Sequence, residues 1–327
     1  MKYRRFGKTN FNVSEVSLGT WQLGSKWGDP FNEQDAQNTL AAAYDAGVNF
    51  FDTADVYQDG DSQRALAKFI KDKGDKVFVS TKVGRRLDPH VASGYNAKNI
   101  TKFVEDCLTN LQVDALDNVL LHCPPTAVYY EPEAFFTLDQ LKKDGKIKNY
   151  GVSVEKVEEA MKALDYNISS VEIIYNMFRL RPADNFFKMA QAKDVGIIAR
   201  VPLASGLLSG KYTLQTTFGK NDQRTTNRHG EQFDQGETFS GVDFATGVKA
   251  ADELKERLGA GDQLAQMALR YILMADAVST VIPGASKPEQ ITRNVAAADL
   301  PAFTPEQMAI VRDVYDKYIK NPVQYKW

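Results

Sequence analysis

Cysteine is scarce: the 327-residue chain holds two, Cys107 and Cys123. There is no CxxC, and two cysteines cannot by themselves complete a structural zinc site. They read as reduced, small core residues of a cytoplasmic protein, and no metal is expected. Net charge is small as well: 40 Lys and Arg against 42 Asp and Glu leave −2 at pH 7, with a pI near 6.0. That balance offers no basic footprint for nucleic acid. No apolar run is long enough to span a membrane. The N-terminal MKYRRFGKTNFNVS is polar and has no secretory apolar region. GxGxxG, the P-loop motif and GxSxG are all absent, which counts against a dinucleotide-binding doubly wound sheet and a serine hydrolase. Internal repeats and a dividing linker are also missing, so residues 1–327 are expected to form a single domain.

What is present is an alternation. Short apolar runs EVSLG, VNFFD, VFVSTKV, NVLLH, YGVSV, VEIIY, IIARV and AVSTVI read as strands. Between them lie helix-period segments, among them NEQDAQNTLAAAYDAG, AKNITKFVEDCLTNLQ, PEAFFTLDQLKKDG, SVEKVEEAMKAL, AGDQLAQMALRYILMADA and TPEQMAIVRDVYDKYI. Ser153 is a candidate N-cap for the fourth of these. Eight strands alternating with helices imply a parallel sheet with right-handed crossovers. The count and the length fit an α/β fold of the (β/α)8 TIM-barrel type. The leading KYRRFGKTNFNVS predicts an N-terminal hairpin turning between Phe6 and Phe11 and closing the bottom of the barrel. Residues 212–241 break the rhythm: they are polar, without periodicity, and follow the seventh strand. A long loop there lies on the C-terminal face, where barrels keep their chemistry.

The strand ends share one mouth. The second strand ends in Asp52, with Tyr57 in its loop; the third ends near Lys82 and the fourth in His122. Singly, each has a commoner structural role: a turn-capping Asp, a packed Tyr, a solvated Lys, a hydrogen-bonded His. Four such residues on consecutive strand ends converge. Reducing a carbonyl requires a hydride on carbon and a proton on oxygen. A phenol near pKa 10 is a reluctant acid at neutral pH, and a nearby ammonium lowers it. Lys82 fits that role, Asp52 can hold Lys82, and His122 can orient the carbonyl oxygen.

FFDTADVY, VFVSTKVG, LLHCP, YGVS, IIYNMF, PLASGLLSGKY and VIPGASKPEQITRN occur in order over most of the chain. Together they resemble the aldo-keto reductase family, of the bacterial type. That resemblance implies an oxidoreductase acting on carbonyls or, in reverse, on CH–OH groups. It matches Asp52, Tyr57, Lys82 and His122 to the catalytic tetrad, and it implies a nicotinamide cofactor, NADP in preference to NAD. Gly19, Thr20 and Trp21 would flank the cofactor, together with Asp52. Ser153 and Glu172 would face the carboxamide. Residues 202–211 (Pro202, Leu203, Ser205, Gly206, Leu207, Ser209 and Lys211 among them) would carry the pyrophosphate on backbone N–H groups. Gly284, Ser286, Lys287, Gln290 and Asn294 would hold the adenosine end, a 2′-phosphate favouring the helix N-terminus. Arg224 and Arg228 are candidates to close over the phosphates.

Three positions depart from the commoner family pattern. Arg200 stands where many members stack an aromatic ring on the nicotinamide, Glu172 where glutamine is usual, and Val154 where asparagine often follows the serine. A guanidinium against the ring would penalise the cationic, oxidised cofactor by ~1 kcal/mol, unless a carboxylate such as Glu172 pairs with it. The family also contains potassium-channel β-subunits, so a cofactor-binding regulatory subunit is the alternative. A barrel enzyme with only a phosphate site would explain the glycine-rich loops but not the four strand-end residues. Trp21, Trp27, Tyr129 and Phe178 are candidate pocket walls and equally candidate core, and Trp327 is expected at the mouth or docked on the barrel.

Overall fold

Each apolar run becomes a strand in a computed structural model that describes all residues except 26–28, 72 and 74–76. Tyr3–Arg5 (β1) and Asn12–Ser14 (β2) come first. The barrel strands follow: Leu18–Gly19 (β3), Phe50–Asp52 (β4), Phe78–Val83 (β5), Asn118–His122 (β6), Tyr150–Ser153 (β7), Ser170–Ile174 (β8), Gly196–Arg200 (β9) and Val278–Val281 (β10). The eight lie side by side in chain order, every pair parallel. Parallel bridges Val16–Val281 and Gly19–Gly284 join the last strand to the first and close the barrel. Gly19 is required there, since a Cβ would sit 2.9 Å from the Ile282 carbonyl oxygen.

The predicted hairpin is present: β1 pairs antiparallel with β2, Tyr3 opposite Ser14 and Arg5 opposite Asn12. It plugs the bottom. Phe6 and Val13 pack with Phe50, Leu120, Ile198 and Ile282 in one apolar cluster inside the barrel floor. Gly196 admits Phe6, because a Cβ on it would lie 2.3 Å from the ring. A larger apolar layer joins the outer strand faces to the helices.

The helices differ from expectation in instructive ways. Ser153 is not an N-cap: it ends β7, and the helix that follows is Val157–Ala163, capped at Lys156. Three further helices, Asp61–Ile70, Phe186–Ala192 and Phe244–Arg257, were not marked by the periodicity. The first starts from a left-handed Gly60 (φ 87°), with no side-chain cap to announce it. The second has seven residues, too few to show a period. The third does carry a cap, Asp243 accepting from the Thr246 N–H, but it continues straight out of the polar segment. That segment is not shapeless: it contains helical turns at Gln223–Thr226, Gln235–Glu237 and Phe239–Gly241, and Asn227 within it is fully buried. Among the described residues, no helix is long and apolar enough to cross a membrane.

Candidate active site

The four strand-end residues meet. Lys82 Nζ donates to Asp52 Oδ2 at 2.6 Å, to the Thr53 carbonyl at 3.1 Å and to Tyr57 Oη at 3.2 Å. The rings of Tyr57 and His122 lie edge to face, 6.1 Å between centroids. Sheet register explains the convergence. Gly19 pairs with Asp52, His122 with Ser153, and Ser153 with Glu172, so these residues stand at matching heights around the mouth. Tyr57 arrives from a kinked turn in which Gln58 and Asp59 have φ of 44° and 52°. Gln58 anchors the turn by donating to the Trp21 carbonyl at 2.7 Å.

The charges differ from the simple expectation for the phenol. Lys82 does pull the Tyr57 proton affinity down, but burial and the negative charges of Asp52 and Glu172 push it up and win. The site therefore keeps Tyr57 protonated, as a proton donor must be. Lys82 is held above its ordinary range, because the attraction of Asp52 and Glu172 outweighs burial. His122 is held well below its ordinary range by burial and by Arg85, Lys82 and Arg200, so its imidazole is neutral. Its Nδ1 is buried with no hydrogen-bond partner in the protein.

A second charged cluster lies outside the first, and little of it was legible in the sequence. Arg200 donates to Glu237 Oε2 at 2.6 Å, to the Val154 carbonyl at 2.9 Å and to Cys123 Sγ at 3.6 Å; Glu172 is 4.0 Å away. Arg85 bonds Glu155 at 2.9 Å and lies 3.6 Å from Glu237. Arg200 is thus paired, and its main partner is Glu237 from the long loop rather than Glu172. Burial and the charge of Glu237 lift the Glu155 carboxyl to about 8. The Cys123 thiol is pushed up to about 12 by burial, so Cys123 is no nucleophile. Cys123, Glu155 and Glu237 offer ligand atoms within 4.8 Å of one another. The guanidinium groups of Arg85 and Arg200 already supply the positive charge that trio needs.

Arg85, Cys123, Glu155 and Glu237 wall a cavity of about 620 Å³ that opens beside Tyr57 and His122, with Trp21 and Phe233 also in its lining. Trp21 is therefore a pocket wall. Tyr129 and Phe178 are fully buried core instead, and Trp27 lies outside the described residues. Trp327 docks on the long loop: its Nε1 donates to Asp234 at 2.7 Å, and the Arg179 guanidinium stacks 4.1 Å from its ring.

The remaining candidates lie on several separate segments. Thr20 is fully buried and its hydroxyl serves the fold, donating to the Asp52 carbonyl at 2.8 Å. Ser153 donates to Glu172 Oε1 at 3.3 Å. The 202–211 segment turns sharply, with φ of 48°, 54° and 99° at Ala204, Ser205 and Gly206. Consecutive left-handed residues gather backbone N–H groups into a concave anion cradle. Gly206 cannot be replaced there, since a Cβ would fall 2.1 Å from Tyr212 Oη. Pro202 and Leu207 are buried, Leu203, Ser205 and Ser209 half-buried, and Lys211 exposed. Ser205 Oγ binds the long loop, donating to the Glu237 carbonyl at 3.2 Å and accepting from the Phe239 N–H at 3.0 Å. Across the mouth, Gly284, Lys287 and Gln290 are exposed, and Ser286 and Asn294 half-buried, around the helix Pro288–Val295. Gln290 Oε1 is engaged as a cap, accepting from the Ser286 N–H at 2.7 Å. Arg224 pairs with Asp222 at 2.5 Å and lies over the Phe218 ring, and Arg228 donates to the Arg224 carbonyl at 2.9 Å. Both sit within the loop's own packing.

Residues 15–316 match the model of the aldo/keto reductase family. The chain belongs to that family. It is similar to the aldo-keto reductase YhdN of Bacillus subtilis, 29% identical over 336 residues, 99% of this chain and 96% of that one. It is equally similar to a Schizosaccharomyces pombe protein named as a voltage-gated potassium channel subunit beta, 30% identical over 340 residues, 99% of this chain and 96% of that one. Among solved structures it resembles the glycerol dehydrogenase of Gluconobacter oxydans, with a TM-score of 0.79 and 26% identity over 100% of this chain and 98% of that one.

Proposed function

We propose that this chain, acting as one barrel domain in the cytoplasm, moves a hydride between NADP(H) and the carbonyl carbon of an aldehyde or ketone, and oxidises the alcohol in reverse. The observation that carries this reading is the 3.2 Å contact between Lys82 Nζ and Tyr57 Oη beside a neutral His122. Tyr57 holds the proton and gives it to the carbonyl oxygen. Lys82 stabilises the phenolate left behind, and Asp52 holds Lys82 in place. A neutral imidazole has one N–H, which fits a hydrogen bond to the same oxygen and fixes the carbonyl's orientation. The bound nicotinamide supplies the hydride.

The residues present fit that cofactor. The buried, unpartnered Nδ1 of His122 marks a polar site needing a ligand's complement. The left-handed stretch at 204–206 supports a pyrophosphate cradle, and the exposed Lys287 beside a helix N-terminus favours a 2′-phosphate. Arg85, Glu155 and Glu237 in a wall otherwise shared with Trp21, Pro124 and Phe233 fit a small carbonyl substrate that carries a polar group.

The test is NADPH oxidation with a series of small aldehydes, with NADH in parallel. Turnover with NADPH, lost in Tyr57→Phe, supports the reading. The similarity to a named channel β-subunit supports a second one, a cofactor-binding regulatory subunit. NADPH binding without turnover of any carbonyl would favour it.

A further inference from the structure

Lys82 is held by two acids where the proton chemistry needs one. Asp52 Oδ2 lies 2.6 Å from Nζ and Glu172 Oε2 3.4 Å, and all three side chains are at most 3% exposed. Asp52 Oδ1 and Glu172 Oε2 have no hydrogen-bond donor. The two carboxyls thus converge on one ammonium, and Glu172 drives the Asp52 carboxyl upward, after burial itself. The groups around the pair are few. Lys82 (β5) and Arg200 (β9) are the cations, and Tyr57 and His122 (β6) are neutral. Ser153 (β7) donates one hydrogen bond to Glu172. Arg200 is the weaker counter-ion: Glu237 takes its Nη1 at 2.6 Å, while Glu172 lies 4.0 Å from its Nε with no hydrogen bond between them. Two carboxylates converging on one close ammonium leave an uncompensated charge in a dry site, and one proton between them removes it.

We propose that Glu172 is a positioning residue for the proton: with Asp52 it holds one shared proton, which resupplies Tyr57 through Lys82. The direction of flow rests on the reductase reading above. In reduction, the Tyr57 O–H bond breaks as its proton joins the carbonyl oxygen. A Lys82 N–H proton then crosses the 3.2 Å contact to the phenolate. The Asp52–Glu172 pair returns a proton to Lys82, and water later restores the proton to the pair. No atom in this chain of transfers is oxidised or reduced, and alcohol oxidation runs it backwards. A glutamine at position 172 would leave Asp52 ionised against Lys82 with no proton in reserve.

Infrared difference spectroscopy of the cofactor-free protein at neutral pH reads this directly. Wild type minus Glu172→Gln should show the loss of one protonated carboxyl, sensitive to deuterium exchange. Wild type minus Asp52→Asn should show the same loss, since Lys82 then faces a single carboxylate and no proton is shared. Signals from the other raised acids, Asp55 and Glu155, should remain in both variants. A carboxyl band unaffected by Glu172→Gln, with the variant folded, would overturn the proposal. In turnover, the wild-type kcat should fall at alkaline pH as the pair loses its proton, and Glu172→Gln should lack that limb. Turnover without the infrared change overturns the shared proton and leaves the reductase reading standing. The infrared change without turnover upholds the shared proton and overturns the reductase reading.

Discussion

The barrel mouth holds two charged clusters built in different ways. The inner one, Asp52, Lys82, Glu172 and His122 with Tyr57, stands on barrel strands fixed by sheet register, Tyr57 alone coming from a short turn. The outer one, Arg85, Glu155, Glu237 and Arg200, depends on residues carried by loops, with only Arg200 on a strand. The inner cluster is sealed, with Lys82, Asp52 and Glu172 at 1–3% side-chain exposure, whereas Arg85, Glu155 and Glu237 retain 14–20% and face the cavity. Fully buried ions that lose a partner are costly, while ions that keep some access to a cavity are softened by its water. The inner cluster should therefore govern the chemistry and the outer one the shape and charge of the pocket.

Substitutions sharpen that contrast. The largest effect is expected from Tyr57→Phe, which removes the proton donor and should lower kcat by ~10²–10⁴-fold. Cofactor affinity, followed by fluorescence quenching, should be nearly unchanged. Lys82→Met removes the cation that two buried carboxyls share and should cost about 3–5 kcal/mol of stability near pH 8. The loss should shrink toward pH 5, because without the ammonium the acids take up protons, and denaturant melts at both pH values would show it. Asp55 belongs to neither cluster and serves as a control. Burial raises its carboxyl from 3.8 to about 7, so the folded state binds a proton more tightly than the unfolded state. Its contribution is favourable at low pH and is lost as pH rises from 3.8 to about 7. Asp55→Asn should gain on wild type by about 4 kcal/mol across that window and then run parallel to it. The smallest effect is expected at the outer wall. Glu237→Gln frees Arg200 to oppose a cationic nicotinamide, shifting the ratio of oxidised to reduced cofactor affinity by about 1 kcal/mol toward the reduced form. Arg200→Leu should move that ratio little, since wild-type Arg200 is already neutralised. A larger shift in Arg200→Leu than in Glu237→Gln would break the division into two clusters.

The same division explains what the sequence made legible. Asp52, Lys82 and His122 end apolar strands, and a strand end in a parallel barrel has only one place to point. The eight strands followed from the alternation of apolar runs with helix-period segments, the hairpin from its turn residues, and Asp52, Lys82 and His122 from that rule, with Tyr57 carried in the adjoining loop. Ser153 misled as an N-cap because it precedes a helix-period run, yet register with His122 and Glu172 keeps it in the sheet. Glu237 carried no local signal: it reaches the site from a polar segment whose turns are set by tertiary contacts such as the Ser205 hydroxyl. Arg85 and Glu155 lie within three residues of strand-end positions, close enough to have been read as mouth residues. The charge of the phenol was not legible either, because it depends on a balance between Lys82 and two acids at distances only the fold sets.

The most direct measurement is label transfer from C4-deuterated NADPH to a small polar aldehyde, with mass detection of the alcohol, in wild type and Tyr57→Phe. The expected result is a deuterium on the carbinol carbon in wild type and almost none of that product from Tyr57→Phe, with both proteins binding the cofactor. Equal labelled product from both proteins would contradict the role given to Tyr57. Bound cofactor with no labelled alcohol from wild type, across the aldehyde series, would contradict the reductase reading itself.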